Sequence, residues 1–242
     1  MKYIIGLHVL IFLIVILMGC NSTPNRSILR QVESYMEEHP DSALFLLNSI
    51  AHPEKLSGRE QAEYALFYTQ SCEKNFILQL NDSLIKIAVD YFKSQAGELK
   101  AAQSYFYMGC IYQNRNEHAN AVRAFIKALE NVPSNIRSRI LMQIHFYLAE
   151  SYNNEGLYNE AKKHYFLSYE NAVYRKDTLD MYYPLRGIGT AYAFKLQYDS
   201  ALVYYNKALE ISYRANNNEM KAYVLSSIAG CYEAKNDFEK AN

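Results

Sequence analysis

The sequence predicts an all-α fold of stacked antiparallel helix pairs, and three observations predict it. First, four segments align without a gap at a spacing of forty residues: YFYMGCIY from Tyr105, HFYLAESY from His145, LRGIGTAY from Leu185 and LSSIAGCY from Leu225. Second, the shared positions within each segment, such as 145, 148, 149 and 152, follow the i, i+3, i+4, i+7 spacing that places side chains on one helical face. Third, half of the 242 residues are apolar, ample for a core, and 23 Tyr and 11 Phe stand beside no Trp and only five Pro. Tyrosine at that level suits helices whose ring bodies pack while their hydroxyls reach the surface.

The chain opens with Lys2, an apolar stretch of fifteen residues from Ile4 to Met18, and then Leu17-Met18-Gly19-Cys20, after which polar residues take over. This is the layout of a secretory signal, because a helix that crosses a bilayer needs about 20 apolar residues. Leu-Met-Gly-Cys resembles the lipobox of bacterial lipoproteins, although Met18 is an unusual residue between the leucine and the glycine. The resemblance implies a signal peptide over residues 1–19, removed before Cys20, and a diacylglycerol on the Cys20 thiol. Acyl chains then hold the protein on the membrane at roughly 0.8 kcal/mol per buried methylene. Residues 20–27 read as a short tether. The competing reading is an uncleaved anchor in which Cys20 is incidental.

Residues 28–101 read as weaker helical hairpins. Ala65, Tyr68, Thr69 and Cys72 keep the same helical face forty residues before the first strong copy, with Cys72 standing where a packing tyrosine is expected. Asp-Ser-Ala or Asp-Ser-Leu recurs at Asp41, Asp82 and Asp199, where Asp or Ser would cap free backbone N–H groups. Ser57 followed by Glu60 adds a capping-box signal.

Residues 102–242 carry the strong copies. Met108, Leu148, Ile188 and Ile228 form one row, Gly109, Ala149, Gly189 and Ala229 a second, and Tyr112, Tyr152, Tyr192 and Tyr232 a third. Nine residues after each tyrosine stands Ala121, Ala161, Ala201 or Ala241, opening the second helix of each pair. Asn116, Gly156 and Asn236 lie between the two helices and accept the left-handed conformation that ends a helix, whereas Leu196 does not suit it. The chain stops at Asn242, so the last hairpin is expected to be incomplete.

These residues resemble the tetratricopeptide repeat, most closely over 102–135, where Tyr105, Met108-Gly109, Tyr112, Ala121, Phe125, Ala128 and Pro133 fill its pattern. Later copies depart modestly: His145 and Leu185 take the first large position, and Pro133 has no counterpart. A period of forty instead of the family's usual spacing implies longer helices. The resemblance implies a right-handed superhelical solenoid of antiparallel helix pairs whose concave wall comes from the first helix of each pair. Carried onto this sequence, that wall comprises Gln103, Phe106, Tyr107 and Gln113, then Gln143, Phe146, Tyr147 and Asn153, then Tyr183, Arg186 and Tyr223. Such a wall, aromatic and amide-rich, suits an extended peptide or a helix. Two readings of its aromatics stay open here, a partner surface or rings buried within long helices.

Chemistry is sparse. The 25 basic and 25 acidic residues balance, giving no general attraction to nucleic acid or anionic lipid. Cys20, Cys72, Cys110 and Cys231 form no CxxC, and the six histidines never pair at helical spacing, so neither zinc nor another cofactor is expected. Arg186-Gly-Ile-Gly-Thr190 lacks the glycine and lysine of a phosphate loop, and its glycines are expected to serve packing. The expectation is therefore no enzyme: a lipid-anchored lipoprotein of the cell envelope, at the periplasmic face or outer membrane, that binds protein or peptide partners. The alternative is the N-terminal sensing half of a signalling or transcriptional regulator whose membrane helix and DNA-binding domain lie beyond residue 242. A glycan-capturing lipoprotein is a weaker third class, because the array has no long insertions.

Overall fold

The computed structural model describes residues 24–95, 99–133 and 138–235. The expected signal peptide, Cys20 with the rest of residues 20–23, and Asn236 and Ala241 lie outside the described residues, whereas residues 24–27, expected as tether, are helical. Among the described residues all regular structure is helical: α1 Pro24–Tyr35, α2 Pro40–Asn48, a 3-10 turn Pro53–Lys55, α3 Gly58–Lys74, α4 Ser83–Phe92, α5 Leu99–Asn114, α6 His118–Glu130, α7 Arg139–Asn154, α8 Tyr158–Arg175, α9 Tyr182–Phe194, α10 Tyr198–Arg214 and α11 Asn218–Ala234. The chain divides into two compact units at Phe76/Ile77. That division falls earlier than the 101/102 boundary drawn from repeat similarity, because α4 packs on α5 and so belongs physically with the strong repeats.

The first unit buries Leu29 and Val32 of α1, with Met36 just after its end, against Ala43 and Leu47 of α2 and Ala62, Ala65, Leu66 and Cys72 of α3. Cys72 takes the buried place expected of it. Thr69 is equally buried and returns its hydroxyl to the Ala65 carbonyl at 2.9 Å, so no polar atom is stranded there. A Lys74–Glu37 ion pair at 3.0 Å closes the end of α3 on the chain after α1.

In the second unit each helix packs on its neighbours in sequence. The first helices α5, α7, α9 and α11 also touch one another in succession, and the second helices α8 and α10 meet through Phe166 and Tyr204, edge-on at 5.7 Å. Ala121, Ala161 and Ala201 are fully buried, which lets paired helices approach closely. Gly109 takes this further: a Cβ there would lie 2.5 Å from the Phe125 ring, and one at Gly189 would lie 2.6 Å from Tyr205. Gly187 and Gly189, the glycines of Arg186–Thr190, are packing residues inside α9, as expected.

Helix ends depart from expectation in two ways. Asn116, Gly156 and Leu196 all adopt left-handed backbone, with φ of 59, 74 and 58°, so Leu196 conforms despite its residue type. The reason is the motif it completes: the N–H of the following residue donates back to the repeat tyrosine, Glu117 to Tyr112 at 2.8 Å, Leu157 to Tyr152 at 2.9 Å and Gln197 to Tyr192 at 3.0 Å. The expected side-chain caps, by contrast, are not made. Asp41 and Asp199 sit inside the first turn of helices that His39 and Gln197 precede, favourable for the helix dipole but not caps. Ser57 and Asp82 do occupy N-cap positions, yet neither side chain makes the cap hydrogen bond. The Asp82 carboxylate turns instead to Lys86 at 2.9 Å and accepts from Tyr112 at 3.3 Å, tying α4 to α5.

Candidate functional site

The first helices α7 and α9 and the turn between α8 and α9 enclose a cavity of about 260 Å³. From α7 come Arg139, Met142, Gln143, Phe146 and Tyr147, and from α9 Tyr183 and Pro184. Ser168 of α8 and Asp180 of the turn complete the lining, and Ser168 is held by donating to the Met142 carbonyl at 3.0 Å. Phe146 meets Tyr147 and Tyr183 edge-on, at ring separations of 5.6 and 6.1 Å, the arrangement that aromatic quadrupoles favour. Asp177 shapes the turn: its Oδ1 accepts from the N–H groups of Leu179 and Asp180, both at 3.1 Å. Asp180 is thereby set beside Arg139, whose Nη2 lies 3.4 Å from Asp180 Oδ1.

Of the residues expected on the wall, the structure brings Gln143, Phe146, Tyr147 and Tyr183 together around this cavity. Phe106 and Tyr107 it assigns to the core, at 2 and 4 % exposure, because the Tyr147 ring covers Phe106 edge-on at 5.3 Å and Phe125 backs it. For these two rings the packing reading holds. Gln113 bridges repeats, donating to the Tyr147 carbonyl at 3.0 Å and the Ser151 hydroxyl at 2.8 Å. Gln103, Asn153 and Arg186 are half-buried away from the cavity, and Tyr223 on α11 is exposed. Sequence reasoning missed Arg139 and Asp180. Both lie where one hairpin joins the next, outside the forty-residue alignment, and Met142, Ser168 and Pro184 were not expected in the lining either.

A second cluster also escaped the sequence reading. His145 and His164 never share a helical spacing, yet the α7–α8 hairpin brings their Nδ1 atoms to 3.0 Å, with Tyr152 stacked on His164 at 5.6 Å. Burial, with the neighbouring His164 and Lys163 adding to it, pushes His145 down to about 4. Two neutral imidazoles make a hydrogen-bonded pair. No group of three or more His, Cys, Asp or Glu able to hold a metal occurs among the described residues. Cys72, Cys110 and Cys231 are buried, and burial pushes the Cys72 and Cys231 thiols up, away from the nucleophilic thiolate.

The family model for the tetratricopeptide repeat matches residues 102–135. No curated protein matches the sequence. Among solved structures, the chain resembles BtubC from P. vanneervenii at 16% identity and a TM-score of 0.64, over 91% of this chain and 87% of that one. It also resembles a Rap protein crystallised with Competence and Sporulation Factor (16% identity, TM-score 0.70) and the apo form of RapI (16%, 0.68). In both cases the match covers 93% of this chain, which spans 65% of the Rap chain's length. Residues 102–135 are a tetratricopeptide repeat, and the fold built around them is that of the tetratricopeptide-repeat proteins.

Proposed function

We propose that this protein is a non-catalytic docking scaffold, fixed to the cell envelope by a lipid on Cys20, that holds a protein or peptide segment along its first-helix side. The observation that carries the docking reading is the cavity itself: rings and an amide from successive first helices line one accessible hollow. Exposed rigid aromatics beside an adaptable amide are the residue types that anchor partners. The fold supports the reading, since the similarly folded Rap protein was crystallised holding Competence and Sporulation Factor. Anchoring rests on the Leu-Met-Gly-Cys sequence.

The test places a photo-crosslinking residue at Tyr183, beside the cavity, or at Val203, exposed on α10, in cells that express the full chain. Adducts are expected from position 183 and not from 203. Equal adducts from both would remove the docking surface from the first-helix side. The anchor is tested separately: Cys20→Ala is expected to move the protein out of the membrane fraction, and an unchanged distribution counts against lipidation.

A further inference from the structure

We propose that the cavity is a receptor for one positively charged side chain, a lysine or an arginine, presented by the docked segment. This deepens the docking reading and rests on it. The starting observation is Asp180, which lines the cavity at 8 % exposure. Its Oδ1 meets Arg139 only at 3.4 Å, and its Oδ2 is buried with no hydrogen-bond partner among the described residues. A buried carboxylate oxygen without a donor costs about 1–3 kcal/mol or more, so a donor supplied from outside is stabilised there.

The donor that satisfies this atom best is a cationic N–H, because hydrogen bonds between ions are roughly twice as strong as neutral ones. The rest of the cavity agrees. Phe146 and Tyr183 line it with Tyr147, and ring faces within about 6 Å attract ammonium and guanidinium groups. The apolar stem of a lysine or arginine finds Met142 and Pro184 in the same lining. At about 260 Å³ the hollow sits just below the roughly 300–1,000 Å³ range of small-molecule sites, a size for one side chain. Arg139 leaves Oδ2 unmet, since its side chain is about half exposed and it approaches Oδ1, at 3.4 Å. Burial meanwhile pushes the Asp180 carboxyl up against the pull of Arg139, with the charge of Asp177 and a hydrogen bond between the two carboxyls adding to the rise and Arg175 opposing it.

The experiment measures binding of four labelled peptides to the full chain by fluorescence anisotropy: Gly₃-X-Gly₃ with X as lysine, arginine, norleucine or glutamate. Lysine and arginine peptides are expected to bind at least about tenfold tighter than norleucine, the factor that one charge-assisted hydrogen bond supplies. Asp180→Asn, which keeps the shape, is expected to bring that ratio to about one, with thermal unfolding confirming that the variant is folded. Arg139→Gln removes the competing cation and is expected to tighten the lysine peptide while leaving norleucine unchanged. Norleucine or glutamate binding as tightly as lysine, a ratio that survives Asp180→Asn, or a lysine peptide weakened by Arg139→Gln overturns the charge preference alone. Failure of all four peptides to bind removes the docking reading together with it.

Discussion

Phe106 and Tyr107 on α5 and Phe146 and Tyr147 on α7 are the same residue pair one repeat apart, and they meet different fates. Part of the packing is conserved in geometry: Phe125 lies 5.8 Å from Phe106, and Tyr165, one repeat later, lies 5.9 Å from Phe146. What differs is the next first helix. Tyr147 covers Phe106, but the residue one repeat after Tyr147 is Gly187, which has no ring to lay over Phe146. A Cβ at Gly187 would already run into the Tyr165 ring. A hollow therefore opens beside Phe146 where the preceding repeat has core. One glycine in the register separates a packing aromatic from an accessible one.

The largest effect is expected from removing the covered ring. Phe106→Ala empties a site that is 2 % exposed and should cost about 3–5 kcal/mol in denaturant-measured stability. Phe146→Ala borders an existing hollow and should cost about 1–2 kcal/mol, since less packing is lost there. Equal costs would erase the contrast between the two repeats.

Gly187→Ala addresses its cause. The new methyl group must displace Tyr165, whose hydroxyl donates to Glu150 and whose acidity burial suppresses strongly, so the ring cannot simply turn to solvent. A loss of about 1–3 kcal/mol is expected in thermal or chemical unfolding. Gly230→Ala is the control: no atom lies within 4 Å of the added carbon, and gaining about 0.5–1 kcal/mol from helix propensity is the expected outcome. If Gly187→Ala were as harmless as Gly230→Ala, the absent ring would not be what shapes the cavity.

These positions also mark what could be read in advance. The helix pairs, their register and the small residues between them were legible because each repeat states the same periodic pattern, and four cavity residues followed from the resemblance to the tetratricopeptide repeat. Burial of Phe106 and Tyr107 was not legible, since it depends on Tyr147, a residue of the next repeat, and periodicity within one helix is silent about its neighbours. Asp180 and Arg139 were hidden for a related reason: one lies in a connection and the other is the first residue of the helix that follows one, where no repeat fixes the register. The Asp82 cap failed because its carboxylate found better partners in Lys86 and Tyr112, a tertiary override of a local preference.

The first large position of the repeat gives the next test, because Tyr105 and Leu185 bracket a histidine there. His145 has its folded value pushed down to about 4 from an ordinary value near 6.5. Above that ordinary value both folded and unfolded chains hold a neutral imidazole. As pH falls from about 6.5 towards 4 the unfolded chain takes up a proton that the folded one refuses, so stability drops, then levels off below the folded value. With partial solvent access the loss should be about 2 kcal/mol, read from denaturation midpoints across that window. His145→Leu, the residue of the following repeat, should flatten most of the decline. The same slope in the variant would place the acid sensitivity elsewhere.

The smallest expected effect concerns the turn that each repeat shares. Asn116, Gly156 and Leu196 hold the same left-handed backbone, but only the first two are residue types that adopt it easily. Leu196 is 72 % exposed, so it recovers little of that strain through burial. Replacing it with the residue of either neighbouring repeat should therefore stabilise the protein, Leu196→Gly by about 1 kcal/mol and Leu196→Asn by somewhat less. Gly156→Ala, the reverse exchange, should cost a similar amount, since a Cβ there has open space around it and only the backbone to oppose it. A Leu196→Gly variant that melts no higher than the parent would mean that packing of the leucine, exposed as it is, offsets the backbone it distorts.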